Sequence, residues 1–441
     1  MSIRRLLPLG IFLWPVSVWP NPTECVHSPQ ARGRWLPGFD IHTDYEKKIP
    51  PSKLVEHELT VSNQVIAPDG YLTNGGGQWY RYLGRTIEAN WGDTLRSSQV
   101  YEFRLMQYGT SCYHSHFSIQ WAIKINGPSS MDYDVDQGPI LMSDWYHADA
   151  FALYPTEILT PEAPIPGTNV MNGKGVFDCD PSEAPRCTGK HERHEIALKR
   201  GPHRDLNDFV PIQPYETDVL IVGIERYEIL ITADAEFTNG TNFWMHANYC
   251  DIGTWESRLG IIRYGALNTS DPYTPPVSEQ HYGFGFQDPP PESLVPIVKR
   301  QVGKNMNSFD TPDYLRIGLQ AWPNVSDPNS RIHTLLLTNR SICLDWSDPS
   351  LKKLTLDANP EFPPETSPVT LQLSDWELGV LPHPEQLHIK RCCHPSNHPR
   401  SVHPIHLHGH DYVILAQGEG PFPDDVVPNL DNPAKRDGYY I

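Results

Sequence analysis

Eight residues near the end of the chain, HPIHLHGH at 403–410, hold four histidines, and a second group, YHSHF, stands at 113–117. Both contain His-x-His: His114 with His116, and His406 with His408. On an extended strand, residues two apart project from one face, about 6.6 Å apart at roughly 3.3 Å per residue. That separation suits two ligands of one metal, or one ligand for each of two neighbouring metals. One such pair is weak evidence, because zinc enzymes use the same spacing and strand histidines are often simply exposed. Two pairs together with His403 make metal binding the stronger reading. Imidazole serves Cu, Zn, Fe and Ni alike, so the donors do not name the metal.

The elements that carry these residues read as strands. Proline makes up 44 of 441 residues, about twice the usual ~5%, and no long stretch keeps a helical 3.6-residue apolar period. YEFRL at 101–105 alternates Tyr101, Phe103 and Leu105, expected on a core face, with Glu102 and Arg104, expected in water. DVLIVGIERYEILITA (218–233), RIHTLLLTN (331–339) and SPVTLQL (367–373) are further β-rich runs. The proline-dense stretches YPTEILTPEAPIPGTN (154–169) and FQDPPPESLVP (286–296) read as loops joining domains. The chain is too long for one ordinary core. Three all-β sandwich domains are therefore expected, at 25–153, 154–290 and 291–441. His114 and His116 then belong to the first and the later histidines to the third, so a shared site must lie at an interface between domains.

Charge narrows the partners. With 53 acidic and 35 basic residues the formal charge is -18, which repels phosphate backbones and acidic lipid surfaces and argues against nucleic acid. At the start, Arg4 and Arg5 precede an apolar run from Leu6 to Trp19. The run is shorter than the ~20 residues of a membrane span, and residues 1–20 read as a secretory signal peptide. No second apolar stretch is long enough to span. Sequons at Asn239, Asn268, Asn324 and Asn339 fit an exported glycoprotein. Eight cysteines in an exported chain tend to pair. Cys179 and Cys187 are close enough to close a small loop, whereas Cys25, Cys112, Cys250, Cys343, Cys392 and Cys393 have no pairing legible from sequence. His394 and His398 read as polar-loop residues, and TNGGGQW (73–79) as a loop rather than a phosphate cradle, since no helix pattern follows it.

GRTIEANWGDTL, YEFRLMQYGTSCYHSHFSIQ, SDWYHADA, VPIQPYETDVLIVGIERYEI and HPIHLHGHDYVILAQG resemble the ascomycete-type laccases of the multicopper oxidase family, from about Cys25 almost to the C-terminus. The resemblance implies three cupredoxin-like Greek-key β-sandwich domains, with a blue (type 1) copper in the third and a type 2/type 3 copper cluster between the first and third. By it, His114 and His116 match ligands of the type 3 pair, His406 a type 2 ligand and His408 a type 3 ligand. His403 matches a blue-copper ligand, where a reducing substrate delivers electrons. His410 matches a position that is not a ligand. The implied activity is laccase-type: small phenolic substrates lose one electron at a time, and O2 is reduced to water. A secreted, extracellular, disulfide-bonded monomer is expected, with lignin degradation among the roles such enzymes serve. An oxidase acting on ascorbate or ferrous iron is the runner-up, and TIEANWGDTL favours the laccase branch.

Departures from the family pattern matter as much. NWGDTL runs directly into RSSQVYEFRL where the family carries a His-Trp-His-Gly motif, with one type 2 and one type 3 ligand and the strands around them. A short turn between Trp121 and Ile125 and a domain 2 strand region near Gly201 to Asp208 are also absent. The chain closes on NPAKRDGYYI, ahead of the family's His-Cys-His motif with its blue-copper cysteine. Neither Cys112 nor Cys393 matches that cysteine by position. Domains 1 and 2 are thus expected to lack strands and domain 3 to be truncated, a pattern that looks like exons skipped in a gene prediction or a degraded paralogue. The alternative function is an incomplete, catalytically dead copper-binding cupredoxin protein. A blue site needs its thiolate, so the copper-loaded 441-residue chain is expected to show no intense blue band. In O2-uptake assays it should oxidise a simple diphenol no faster than free copper.

Overall fold

The computed structural model describes residues 27–58, 65–73, 86–97, 102–114, 120–148, 150–160, 165–180, 185–190, 192–198, 229, 242–247, 258–264, 269–272, 295–301, 317–337, 341, 347–357, 404–406, 411–416, 427–436 and 438–440. In the first part of the chain the strands are β1 (Arg34–Leu36), β2 (Phe39–Asp40), β3 (Leu54–His57), β4 (Ile87–Asn90), β5 (Thr94–Ser97), β6 (Glu102–Arg104), β7 (Gly109–His114), β8 (Gln120–Asn126) and β9 (Met142–Trp145). Helix α1 (Ala150–Leu159) follows, then β10 (Thr168–Met171), β11 (Glu195–Leu198), β12 (Asn242–Ala247) and β13 (Arg258–Tyr264). The last part holds β14 (Ile317–Pro323), β15 (Arg331–Leu337), α2 (Ser350–Leu356), β16 (Pro404–His406), β17 (Tyr412–Ile414), β18 (Ala434–Arg436) and β19 (Gly438–Tyr440). The chain is all-β apart from these two short helices among the described residues, and neither helix is long and apolar enough to cross a membrane.

Local sequence explains the part that carries His114. In IEAN, Ile87 and Ala89 are buried while Glu88 and Asn90 are exposed, the period-2 pattern of a strand with one wet face. Ile87, Ala89, Leu95 and Leu105 form a core, with Val55, Tyr113, Ile123 and Ile125 packed against it. The turn Asn90–Asp93 stitches its surroundings together. Asp93 accepts the Asn90 and Lys53 N–H groups at 3.0 and 3.2 Å, and the Trp91 N–H donates to the Asn126 carbonyl at 2.8 Å. Gly92 has φ +93°, and a Cβ there would lie 2.6 Å from the Pro50 carbonyl oxygen, so only glycine fits. Trp91 is 1% exposed, its indole N–H donates to Met106 at 2.8 Å, and Phe39 and Tyr108 pack on its ring. The sheet order β4-β8-β7 hangs the His114 strand on this core.

Three sequence expectations meet the structure directly. RIHTLLLTN forms β15, which pairs antiparallel with β14 from Arg331↔Pro323 to Leu337↔Ile317, and Cys179–Cys187 is a disulfide. The third needs correction. Leu105 is buried, but Phe103, expected beside it in the core, is 48% exposed. It stands opposite buried Leu95 on β6, the edge of the β3-β5-β6 sheet, where a strand has a neighbour on one side only.

The stretch 154–169, read as a loop, is also partly ordered into elements. Its first six residues complete α1, with Pro155 inside the helix, and its last two begin β10. Proline removes one helical hydrogen bond, yet AFALYPTEIL surrounds it with alanine and leucine, strong helix formers. β10 returns to pair with β9 over four residues, from Thr168↔Trp145 to Met171↔Met142. The other two β-rich runs, 218–233 and 367–373, lie outside the described residues except for Ile229.

Replacing Trp91 with alanine removes a buried aromatic and its hydrogen bond. The expected cost is ~3–5 kcal/mol, read as a lowered urea midpoint by circular dichroism with the slope unchanged.

Candidate metal centre

His114 is the last residue of β7, opposite Gln120 of β8, and His406 is the last residue of β16, opposite Gly438 of β19. His116, His403 and His408 lie outside the described residues. Among the described residues no three His, Cys, Asp or Glu side chains gather as a metal-binding group. β16 pairs with β19, from Pro404↔Tyr440 to His406↔Gly438, and β17 pairs with β18, from Tyr412↔Arg436 to Ile414↔Ala434. Residues 407–411 separate β16 from β17, whereas residue 437 alone separates β18 from β19. In donor type, imidazoles at strand ends fit copper.

What brings the two ends of the chain together is a group of charged side chains that no sequence pattern had singled out. Arg300 meets Asp44 at 2.8 Å and Glu46 at 3.0 Å. Lys435, on β18, meets Glu46 at 2.9 Å and the Tyr45 hydroxyl at 3.1 Å. Both cations also lie near the Tyr45 ring, 5.5 and 5.1 Å from its centroid. Asn432, at φ 54°, holds the Arg300 backbone: its side chain accepts the Arg300 N–H at 3.1 Å and donates to the Pro296 carbonyl at 2.9 Å. On the side of the Asp44 and Glu46 carboxylates, Tyr45 packs edge-on to Tyr108, which packs on Trp91. Gln107 Nε2 donates to Asp411 Oδ2 at 2.6 Å, and the same oxygen is 3.8 Å from Lys435.

Burial and pairing compete in this group. Burial works to raise the Asp44 carboxyl, but hydrogen bonds from Arg300 and Lys47 and the Arg300 charge bring its pKa down to about 2. Burial works to lower Arg300 and Lys435, and their anionic neighbours outweigh it, so both are raised. A separate histidine, His147 of SDWYHADA, has its Nε2 2.7 Å from the fully buried Asp69, with Tyr71 stacked on its ring at 4.0 Å. That nitrogen is engaged by Asp69, and the residue acts as a packing element.

An oxidoreductase of Pestalotiopsis microspora is 45% identical over 493 aligned positions, covering 93% of this chain and 80% of the relative. A multicopper oxidase sequence profile matches residues 340–441. The chain belongs to the multicopper oxidase family. It is also 42% identical to the dihydrogeodin oxidase of Aspergillus terreus, over 94% of this chain and 82% of that one. Its fold matches the crystal structure of the laccase from Botrytis aclada with a TM-score of 0.68 at 25% identity, covering 94% and 86% of the two chains. The all-β cupredoxin-like sandwich architecture expected from the resemblance is thereby shown. The 493 aligned positions exceed the 441 residues of the entire chain, so the Pestalotiopsis relative carries internal residues with no counterpart here.

Asp44 is ionised well below the pH at which an unfolded aspartate protonates, ~3.9. Its contribution to stability is therefore present above ~4 and is lost as the pH falls toward about 2. Urea midpoints of wild type and Asp44→Asn should differ at pH 5 and converge between pH 4 and 2.

Proposed function

We propose that this multicopper oxidase is laccase-like at the level of its family, in which electrons pass one at a time from small phenolic substrates, entering at His403, to O2, a turnover that the 441 residues by themselves are not expected to complete. The observation that supports this best is likeness over more than nine-tenths of the chain to an oxidase named for dihydrogeodin and, at lower identity, to a laccase. Both histidine motifs stand in the order and spacing that the laccase resemblance requires. His114, His116, His406 and His408 would hold the type 2 and type 3 coppers, and His403 the blue copper. Bound copper supplies the one-electron steps and the reduction of O2 to water. The protein's own part is to present neutral imidazoles from two chain segments, and β7 and β16 end on two of them, His114 and His406. Export through residues 1–20, glycosylation at the four sequons and a monomeric state belong to the same proposal.

A second reading is favoured by one observation. The relative's internal surplus over this chain agrees with the absent His-Trp-His-Gly segment, and a centre short of ligands binds metal without turnover. Copper per chain is the first measurement. The 441-residue protein should retain copper after desalting, and His406→Ala with His408→Ala should lower that content at least twofold. Restoring a His-Trp-His-Gly segment between Leu95 and Arg96 should raise it. If the enriched protein then consumes no O2 with a diphenol, the non-catalytic reading stands. If neither histidine substitution changes copper content, these histidines are not the ligands.

A further inference from the structure

Asp411 follows HPIHLHGH directly and precedes β17, three residues after His408. Gln107 lies two residues ahead of β7, the strand that ends on His114. The 2.6 Å hydrogen bond between them therefore joins the two segments that carry the histidine motifs, across 304 residues of chain. We propose that Asp411 is a positioning residue for the copper centre, tying the chain that leaves the HPIHLHGH motif to the chain that leads into the His114 strand through Gln107. This rests on the reading that the two motifs share copper.

The surroundings are built for that task. Asp411 is mostly buried, its side chain 19% exposed, and a carboxylate accepting from an amide makes a stronger bond than two neutral groups do. Lys435 stands 3.8 Å from the same oxygen and is anchored on Glu46 and Tyr45. Among the described residues Asp411 thus faces one donor, Gln107, and one cation, Lys435. A chelate with ligands on two segments binds tightly only while the segments stay at the right separation, because each bound ligand raises the effective concentration of the next. Slack at Asp411 lowers that concentration without removing any ligand.

The roles of the two neighbours differ, which makes the idea separable from simple stabilisation. An asparagine at 411 keeps an acceptor for Gln107 and loses the charge facing Lys435. An alanine loses both. In the full chain loaded with copper, Asp411→Ala and Gln107→Ala should each speed copper loss to a chelator about tenfold, the scale of disturbances outside the ligand set. Asp411→Asn should recover most of the wild-type retention. The double variant Gln107→Ala with Asp411→Ala should be no worse than either single one, since both remove the same contact. The Cu(II) paramagnetic resonance spectrum should broaden in the alanine variants at full copper loading, a change that lowered thermal stability alone does not produce. Unchanged release and spectra in both alanine variants overturn the inference while leaving the copper reading intact. A wild-type chain that keeps no copper overturns the copper reading and this inference with it.

Discussion

Segments hundreds of residues apart stay together in a fold only while the contacts between them outweigh the entropy of separating them. Here that constraint falls on a few charged side chains in which each cation serves two carboxylates: Arg300 with Asp44 and Glu46, Lys435 with Glu46 and, more distantly, Asp411. The Arg300 side chain is 9% exposed and that of Glu46 12%, so the group gives up much of its hydration. For partly buried pairs the Coulombic gain roughly offsets that loss, and the larger effect is a penalty on arrangements that leave one charge unpaired. Such a device selects one relative placement of the two segments more than it adds stability. The aromatic series Tyr45, Tyr108 and Trp91 carries that placement into the first core, where Trp91 is fully covered.

Much of the architecture was legible because strands announce themselves locally. The run from Arg331 to Leu337 pairs where its β-branched and leucine-rich composition predicts, and Ile87 and Ala89, alternating with wet neighbours, carry the same signal in a strand that was not singled out from sequence. Errors arose where tertiary position overrides pattern. Phe103 sits in an alternating run but on an edge strand, so its pattern is right and its cover is missing. The helix through Pro155 went unread because proline was taken as a break, and only the alanine and leucine context tolerates it.

The site divides in the same way. Histidine spacing is a local signal, and it pointed to His114 and His406 before any geometry was known; the structure then placed both at strand ends. His116, His403 and His408 fall outside the described residues, so their gathering is argued from motif and family. Asp44, Glu46, Arg300, Asp411 and Lys435 were invisible, since an exposed-looking charge in a polar segment has no pattern that names a partner hundreds of residues away. Only the cation–carboxylate balance of a folded interface distinguishes them from solvated surface.

The contact between Tyr45 and Lys435 spans 390 residues, and that separation has a consequence in time. At the usual ribosomal pace of roughly 5–20 residues per second, the first sandwich waits about twenty seconds to more than a minute before its counterpart emerges. Through that interval Asp44 and Glu46 remain hydrated carboxylates, and His114 has no opposite set of imidazoles to share an ion with. The ionic closure of Asp44 and Glu46 onto Arg300 and Lys435 is therefore a late event, completed only once the segment that carries Lys435 has been made.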